Sequence, residues 1–306
     1  MSIRIALVGL GKISIDQHIP SIAEDRDFYL VAGVSPNSRT DGLAVYPDLG
    51  AALSAEDIDA VAVNTPPQLR FDIAREALLA GKHVLLEKPP AGSLSALAEL
   101  ERIARGSGLS LYTGWHSQHA PAVFPARAWL TGKNIREVRM QWCENVREWH
   151  PGQRWIWEPG GLGVFDPGIN ALSILTRILP DSLVLTAARL DVPANCATPI
   201  AAALEGRVGN AGQFEATLDF LKEGEQIWSI EVVTDVGTMS LAMGGAELSI
   251  AGSRQNIGPS REYPSIYRRF AALVGRGESE VDAAPLALAA DAFLIGRQRQ
   301  VAEFVE

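Results

Sequence analysis

The 306-residue sequence predicts an α/β protein that combines a doubly wound parallel sheet with a second, α+β domain whose open sheet is mostly antiparallel. Two hydrophobic periodicities carry this prediction. The N-terminal part alternates amphipathic stretches with short runs that are apolar on both faces, as parallel strands buried between helices are. From about residue 135 onwards, apolar and polar residues alternate one by one, which is typical of strands with one buried face. The length also fits two domains of roughly 100–200 residues each.

The N-terminal domain, expected over residues 1–120, contains five apolar runs that predict its strands. These runs cover residues 3–10, 29–34, 60–64, 83–87 and 109–113. Between the third and fourth runs, apolar residues recur at helical spacing and stop at Gly81, a residue that suits a helix C-terminus. Ser93 is expected to cap the next helix, because an apolar stripe at helical spacing follows it. This alternation of strand and helix predicts a Rossmann-type sheet.

The second domain, expected over residues 121–306, is predicted from strands of period two. Alternating apolar residues run through 138–142, 214–220 and 228–232. One helix is expected between them over residues 167–179, with Asp166 as its N-cap and Pro167 at its first position. Two further helical patterns cover 267–274 and 287–299, and these C-terminal helices are candidates to pack back on the first domain.

Composition and charge exclude several classes of partner. Hydrophobic residues make up 47% of the chain and charged residues 21%, as in an ordinary soluble globular protein. The formal net charge of −9 argues against nucleic acid or an anionic membrane surface as the main partner, because both attract a cationic face. No apolar run approaches the ~20 residues of a membrane span, and the N-terminus lacks the apolar region of a signal peptide. The two distant cysteines, Cys143 and Cys196, complete the prediction of a cytoplasmic protein with free thiols.

A glycine-rich turn follows the first predicted strand. In the run from Gly9 to Ser14, the first glycine permits a tight turn, and Gly11 lets a pyrophosphate approach the backbone at a helix N-terminus. Ser14 takes the third glycine position and is small enough for close helix–strand packing. A plain turn is the alternative, since such patterns occur in many folds. The position after an N-terminal strand favours a dinucleotide site at which Gly9, Gly11, Lys12 and Ile13 contact the cofactor.

The end of the second strand bears on which dinucleotide binds. NAD sites usually carry an acidic residue there, about 20 residues beyond the glycines, to bind the ribose hydroxyls. This sequence has no carboxylate before Asp41, and a 2′-phosphate could instead accept hydrogen bonds from Ser35, Asn37, Ser38 and Arg39. The pattern favours NADP, with NAD as a second acceptable cofactor. An equal alternative for Arg39 is a solvated loop charge.

Lys88 ends the fourth predicted strand, in the run Glu-Lys-Pro-Pro. Ligands of doubly wound sheets bind at the carboxyl ends of the strands, so this lysine is expected at the ligand crevice. A lysine at a desolvated site can release its proton near neutral pH and serve as an acid or base. The alternative is a surface lysine at a strand end, and the two rigid prolines that follow favour the functional interpretation.

Asp166 and Asn170 form a second candidate pair, because residues four apart project from the same face of a helix. Asp166 could alternatively do no more than cap the helix. Three glycines within residues 160–163 precede the pair and indicate a backbone that passes close to a ligand or bends sharply.

Four of the seven tryptophans lie close together, at positions 142, 149, 155 and 157, around His150. Tryptophan faces suit the apolar face of a sugar ring, while nearby polar groups can bind its hydroxyls. Packing in a long loop is the alternative for all but Trp142, which the alternation assigns to the sheet core. His116 and His119 have no cysteine near them and no acid before Glu137, so no metal site is predicted.

These motifs resemble those of the glucose–fructose oxidoreductase and inositol dehydrogenase superfamily (Gfo/Idh/MocA). The resemblance rests on GLGKI at 9–13, Glu-Lys-Pro at 87–89 and the Asp-x-x-x-Asn helix start at 166–170, and it covers essentially the whole chain. Residues 146–180 further resemble the bacterial L-arabinose and D-galactose 1-dehydrogenases, as do TPPQ at 65–68, WHS at 115–117 and TPIAA at 198–202.

The resemblance implies oxidation of the anomeric carbon of a cyclic aldose to a lactone with NAD(P)+. It gives Lys88 the role of acid and base, and Asp166 and Asn170 the roles of holding the sugar and orienting the lysine. Superfamily members often have histidine at the Asn170 position, so its absence here favours Lys88 for proton transfer. The remaining residues implied at the site are Glu144, Trp149, His150 and His119 for the sugar, and Thr65, Pro66 and Glu87 for the cofactor.

The resemblance also implies a homodimer that pairs through the open sheet of the second domain. An arginine that contacts the 2′-phosphate in NADP-preferring relatives would fall near Pro36, which cannot replace it. Two other functions stay open: an inositol or other polyol dehydrogenase of the same superfamily, and a non-catalytic regulator that senses a sugar or nucleotide.

Overall fold

The computed structural model describes residues 2–37, 40 and 42–306. The chain forms two compact units. The first extends to His116 and resumes over Glu262–Ala283, and the second consists of Ser117–Arg261 and Ala284–Glu306. The first unit therefore includes a C-terminal segment that the expected range of 1–120 leaves out. Within the described residues, no helix is both long and apolar enough to span a membrane.

The first unit contains a six-stranded, fully parallel sheet, which confirms the predicted Rossmann-type fold. Its strands are β1 (Ile3–Val8), β2 (Phe28–Val34), β3 (Val45–Tyr46), β4 (Ala60–Val63), β5 (His83–Glu87) and β6 (Leu111–Gly114). The spatial order is β3-β2-β1-β4-β5-β6, so the direction of winding reverses between β1 and β4. Ligands of such sheets bind beyond the carboxyl ends of the strands at this reversal.

Five helices accompany this sheet. They are α1 (Ile19–Glu24), which continues from a π-helical turn at Ser14–His18, α2 (Leu49–Ala55), α3 (Pro67–Leu79), α4 (Leu94–Ser107) and, by chain order, α8 (Glu262–Arg276). Ser93 caps α4 as predicted, because its Oγ accepts a hydrogen bond from the Ala96 amide at 3.2 Å. Helix α8 starts five residues before the predicted 267–274 pattern. Its buried face joins the core of this unit, where the Tyr267 ring lies edge-on to Phe28.

The second unit contains a nine-stranded mixed sheet, mostly antiparallel as predicted. Its strands are β7 (Ile135–Cys143), β8 (Leu183–Pro193), β9 (Ala201–Val208), β10 (Gly212–Asp219), β11 (Ile227–Thr234), β12 (Thr238–Ala242), β13 (Glu247–Ile250), β14 (Ser253–Arg254) and β15 (Arg297–Val301). The order is β14-β13-β12-β11-β7-β10-β9-β8-β15, with parallel pairing only between β10 and β7 and between β15 and β8 in the described chain. Val138, Met140 and Trp142 are buried, whereas Arg139 and Gln141 between them are exposed.

The helices of this unit are α5 (Val123–Leu130), α6 (Val146–Trp149), α7 (Phe165–Ile178) and α9 (Ala284–Ile295). Short 3₁₀ turns lie at His116–His119, Arg154–Trp157 and Met243–Gly245. Helix α7 is buried along most of its length and packs against β7 and β11.

Two sequence predictions in this unit are wrong. Asp166 does not cap α7, because the helix begins at Phe165 with Val164 as its N-cap; Asp166 lies in the first turn. The helical pattern over 287–299 ends at Ile295, and residues 297–301 form strand β15. A Cβ atom at Gly296 would lie 2.8 Å from the Leu190 side chain, so the chain turns onto β8 there. The Arg299 guanidinium then binds the Asp191 carboxylate on that strand.

Candidate active site

The glycine turn after β1 is folded against the end of β4. Gly9 has a φ of +95°, and a Cβ atom there would lie 2.9 Å from the Thr65 amide nitrogen, so only glycine fits. Among the described residues, a Cβ atom at Gly11 would have no neighbour within 4 Å, so the backbone at the second glycine is open to a ligand. Ser14 is fully buried and donates its hydroxyl hydrogen to the Gly9 carbonyl at 2.5 Å. Its hydroxyl therefore closes the turn. The sequence predicted only that Ser14 is small enough for close packing, and this hydrogen bond is an additional role.

Residues 64 and 65 test whether this turn fits a dinucleotide. The Asn64 side-chain amide donates to Ser14 Oγ at 2.9 Å. Asn64 Oδ1 and Thr65 Oγ1 are buried and have no hydrogen-bond partner within the described chain. Buried polar atoms are normally satisfied, and a ligand bearing hydroxyl or amide groups would satisfy these two. The open backbone at Gly11 and these polar atoms fit a dinucleotide beyond the carboxyl ends of β1 and β4.

The other predicted cofactor residues differ in exposure. The Lys12 side chain is exposed and pairs with Asp16, one turn along, while the Ile13 side chain is 37% exposed. Ser35 is buried at the end of β2, where its amide donates to the Tyr46 carbonyl at 2.9 Å, and Asn37 is exposed. The predicted contacts Ser38 and Arg39 lie outside the described residues.

Lys88 follows β5 directly and is half-buried. Its backbone amide donates to Glu87 Oε2 at 2.7 Å, and its peptide bond to Pro89 is cis. Glu87 is buried, and its other oxygen, Oε1, accepts from the Tyr263 hydroxyl at 2.8 Å and lies 3.2 Å from His18 Nε2. Glu87, predicted as a cofactor contact, thus has both oxygens engaged inside this unit: Oε2 holds the Lys88 backbone, and Oε1 is held by Tyr263 and His18.

The charge of Glu87 is stabilised by its neighbours. Burial alone would raise the pKa of this carboxyl group, but the His18 hydrogen bond and the charges of His18, His116 and Arg70 lower it to about 2. Since an ionised carboxylate only accepts hydrogen bonds, His18 Nε2 carries a proton; His18 Nδ1 lies 2.7 Å from the Tyr267 hydroxyl. Burial and the Glu87 charge raise the pKa of the Tyr263 hydroxyl, which therefore remains a hydrogen-bond donor.

Arg70 holds the backbone on both sides of Lys88. It is buried in α3, where Nε donates to the Thr65 carbonyl at 2.7 Å and Nη1 donates to the carbonyls of Glu87 and Pro89. One guanidinium therefore ties the chain segment after β4 to the segment after β5. Arg70 was not among the predicted site residues, because one cationic residue in a helical pattern is normally assigned to the solvent face.

In the second unit, Glu144 and His150 form the centre of a polar cluster. Glu144 is buried just after β7, and its Oε1 lies 2.9 Å from His150 Nε2. Glu144 Oε2 accepts from the indole nitrogen of Trp228 at 2.8 Å. On the other side of the imidazole, Nδ1 lies 3.7 Å from Asp166 Oδ2 and 3.4 Å from Gln153 Oε1. The sequence-predicted residues Glu144, His150 and Asp166 are thus brought together.

Aromatic rings border this cluster. Trp228 lies opposite Trp142 in the sheet, with ring centroids 6.0 Å apart, and contacts Trp149 edge-on at 4.7 Å. Trp149 is 44% exposed, so it can contact a ligand, whereas Trp157 packs on Phe220 at 5.6 Å. Trp228 was predicted only as a strand residue. The pairing with Trp142 across the two strands, which the structure shows, brings its indole to this cluster; the alternation of its own strand does not distinguish it.

Helix α7 supplies Asp166, which is buried, and the half-buried Asn170 one turn later. The preceding glycines make a sharp bend against the protein's own backbone. A Cβ atom at Gly161 would overlap the Trp155 and Ile156 carbonyls, and one at Gly163 would overlap the Pro199 carbonyl. Packing thus accounts for these glycines.

The two histidines near residue 116 have different surroundings. His116 Nδ1 lies 2.5 Å from Glu262 Oε2, and its ring stacks on Tyr263 at 5.4 Å. His119, a predicted sugar contact, is half-buried at the end of the short turn that begins at His116. Within residues 2–37, 40 and 42–306, no group of three or more His, Cys, Asp or Glu side chains is arranged to hold a metal ion.

Comparison with known proteins agrees with this architecture. Residues 3–115 match the GFO_IDH_MocA model, described as an oxidoreductase family with an NAD-binding Rossmann fold. The chain is 43% identical over 306 residues to galactose 1-dehydrogenase of Pseudomonas fluorescens, an alignment that covers 99% of each chain.

Two solved structures extend the comparison. The crystal structure of D-galactose-1-dehydrogenase from Rhizobium etli matches with a TM-score of 0.95 and 48% identity, covering 99% of this chain and 98% of the other. A 3-ketoreductase from Actinomadura kijaniata, solved with NADP and TDP-benzene, matches with a TM-score of 0.85 over 98% of this chain and 100% of the other. At 19% identity, this second likeness shows the fold alone.

Proposed function

The chain belongs to the Gfo/Idh/MocA family of oxidoreductases, and we propose that it is an NADP-dependent aldose 1-dehydrogenase. Its substrate is a cyclic aldose, D-galactose or L-arabinose, oxidised at the anomeric carbon to the lactone. Full-length identities of 43% and 48% to two galactose 1-dehydrogenases support this proposal. NAD binds to the same glycine turn and serves as an alternative cofactor.

The observation that carries the proposal is the cluster of Glu144, His150 and Asp166 beside Trp228 and Trp149. A pyranose presents a ring of hydroxyl groups on its edge and C–H bonds on its faces. Buried carboxylates and an imidazole bind hydroxyls strongly because the hydrogen bonds are charge-assisted. Exposed indole surface next to them suits the apolar face of the sugar. No such cluster is needed to stabilise a sheet, since burying charged groups is costly.

Lys88 acts as the general base. It takes the proton of the C1 hydroxyl while the C1–H bond breaks and the C1–O bond becomes the lactone carbonyl. When bound, NADP+ supplies the acceptor for the hydride that leaves C1. The hydrogen bonds of Glu87 and Arg70 to the adjoining backbone hold Lys88 in position for this transfer.

Asp166 and Asn170 hold the sugar in this proposal, together with Glu144, His150, Trp149 and His119. The amide of Asn170 binds hydroxyls without competing for the proton, which leaves Lys88 as the proton acceptor. On the cofactor side, Gly9, Gly11 and Thr65 hold the dinucleotide, with Ser35 and Asn37 at the adenosine ribose.

Turnover assays test the proposal directly. The purified protein is mixed with D-galactose, L-arabinose or myo-inositol and either NADP+ or NAD+, and NAD(P)H absorbance is followed. We expect reduction with the two aldoses, a lactone as product and faster rates with NADP+. Reduction with myo-inositol but with neither aldose would assign the chain to the polyol dehydrogenases instead. No turnover with any of them would favour the non-catalytic regulator.

We also propose that two copies pair through the outer face of the nine-stranded sheet, in the cytoplasm. That face carries alternating polar residues, and Arg139 pairs there with Glu231 at 2.9 Å and Glu137 at 2.5 Å. Both cysteines are free, which suits a reducing compartment. Analytical ultracentrifugation of wild-type protein and Arg139→Glu is the test. A dimer that the substitution weakens supports the pairing, and a wild-type monomer contradicts it.

A further inference from the structure

The last residues of the chain lie against the loop that carries two of the sugar-binding residues. We call residues 302–306 the strap and residues 146–157, which include Trp149 and His150, the substrate loop. The strap leaves the sheet at Val301, whose carbonyl accepts from the Ala194 amide at 3.2 Å. The Asn195 side chain then brackets Phe304, because Nδ2 donates to the Phe304 carbonyl at 2.8 Å and Oδ1 accepts from the Phe304 amide at 2.9 Å.

The Phe304 ring contacts both ends of the substrate loop. Its centroid lies 4.8 Å from the Trp157 ring, and the Arg147 guanidinium lies over it at 4.8 Å. Trp157 in turn contacts Phe220 at 5.6 Å, and Phe220 contacts His150 at 5.5 Å. A continuous row of rings therefore connects the strap to the imidazole of the sugar cluster.

Hydrogen bonds fasten the loop at two further points. The Arg147 guanidinium donates to the Val305 carbonyl at 2.5 Å. The Gly152 amide, two residues beyond His150, donates to Glu306 Oε1 at 2.5 Å. These contacts lie on either side of Trp149 and His150, so the strap restrains both arms of the loop.

The loop has little regular structure of its own. It contains two helical pieces of four residues each, Val146–Trp149 and Arg154–Trp157, and six of its twelve residues are exposed. Isolated helical turns this short are unstable in water. Without outside contacts the loop would sample many conformations, and a sugar would have to order it on binding, which weakens affinity.

We propose that the strap pre-orders the substrate loop, which makes Phe304 a positioning residue for sugar binding by Trp149 and His150. This inference takes its substrate, the sugar, from the proposed function and therefore rests on it. It predicts an effect on binding of the sugar that is separate from cofactor binding and from the chemical step, because the contacts of Phe304 with Asn195, Trp157 and Arg147 bear on the substrate loop.

The test compares Phe304→Ala with Phe304→Tyr, which keeps the ring, and with Val305→Ala, whose side chain is 72% exposed on the same strap. For Phe304→Ala we expect the KM for D-galactose to rise about tenfold, with kcat and the Kd for NADP+ within about twofold of wild type. The two other variants should keep wild-type values. Arg147→Gln removes the partner from the loop side and should raise the same KM by about threefold.

Limited trypsin digestion gives a readout that does not depend on turnover, because Arg147 and Arg154 lie in the loop and are exposed. Phe304→Ala should be cleaved there faster than wild type. An unchanged KM for the sugar in Phe304→Ala would overturn the strap proposal, and so would an equal loss of NADP+ binding. Absence of aldose oxidation by wild-type protein would instead overturn the proposed function. In that case, equal tryptic cleavage of Phe304→Ala and wild type would by itself overturn the strap proposal.

Discussion

The surroundings of Lys88 and the substrate loop hold their candidate site residues by opposite means. The backbone next to Lys88 is fixed by buried groups, Glu87, His18 and Arg70, whose hydrogen bonds are charge-assisted. The substrate loop is fixed by exposed contacts from residues 304–306. Buried charged networks are costly to disturb, whereas exposed contacts contribute little individually.

In the proposed mechanism, this difference separates the chemical step from the choice of substrate. A proton acceptor must be held within a fraction of an ångström for every substrate, and a buried network provides that precision. Sugars differ in the arrangement of a few hydroxyls, so the groups that read them can sit on a loop with adjustable contacts. Substitutions around Lys88 should therefore change kcat and stability, and substitutions around the loop should change the KM for the sugar.

Replacing Lys88 should have the largest effect. Lys88→Arg keeps the positive charge, but a guanidinium does not give up its proton in proteins, so it cannot serve as the base. We expect kcat to fall by about 10²–10⁴-fold, the usual contribution of a positioned acid or base, with NADP+ binding retained. Steady-state kinetics and cofactor titration measure the two quantities.

The control for Lys88→Arg is Lys82→Arg, just before β5. It should keep wild-type kcat, since Lys82 belongs to no part of the proposed site. A kcat within a few-fold of wild type in Lys88→Arg would show that another group accepts the proton. The buried network around residue 88 would then have only a structural role.

Arg70→Met should cost the most stability. It removes one guanidinium from three backbone carbonyls, two of which flank Lys88. Buried hydrogen bonds to charged groups contribute about 1.5–3 kcal/mol each, so we expect the loss of all three to lower the free energy of unfolding by at least about 4 kcal/mol and kcat at least tenfold. Urea unfolding and kinetics are the measurements. Arg75→Met, on the exposed side of the same helix, should change stability by less than about 0.5 kcal/mol.

Glu87→Gln should alter the pH dependence of stability. The neighbours of Glu87 lower its pKa from 4.5 to about 2. The ionised carboxylate therefore stabilises the fold above about pH 5, and this contribution is lost as the pH falls through 4.5 towards 2. Glutamine does not titrate, so the stability difference between wild type and variant should shrink by about 2 kcal/mol between pH 7 and pH 3.

Urea unfolding at several pH values measures this difference, with Glu278→Gln as the control on the exposed surface of the same unit. The control should follow the wild-type pH profile. A constant difference between wild type and Glu87→Gln across the range would show that the carboxylate is not held ionised by His18 and Tyr263.

The sequence predicted the fold correctly, and it indicated where the candidate residues with local signals lie. Strand β5 has the predicted bounds, and the glycine turn and Lys88 lie at strand ends that periodicity and motif indicate. Such features depend on neighbours within a few residues. The position of a strand end follows from its own pattern of apolar residues.

The missed residues are those whose role depends on distant partners. His18 meets Tyr267 across 249 positions of sequence, and the Phe304 strap meets Arg147 across more than 150. Nothing in the local pattern of a polar residue in a helix tells whether it faces solvent or a buried carboxylate. The same limit explains the error at 297–301, where pairing with β8 overrides a helical pattern.

Trp149→Ala should have the smallest effect and the most selective one. Trp149 is 44% exposed and its ring lies 4.7 Å from Trp228, so its removal takes away part of the aromatic surface and leaves Glu144 and His150 bonded to each other. We expect the KM for D-galactose to rise about fivefold, with kcat, NADP+ binding and the free energy of unfolding close to wild type. Trp129→Ala, which alters an indole on α5, should leave that KM unchanged. A fall in kcat without a rise in KM would show that a residue of the substrate loop acts on the chemical step. The division of roles between the loop and the surroundings of Lys88 would then be wrong.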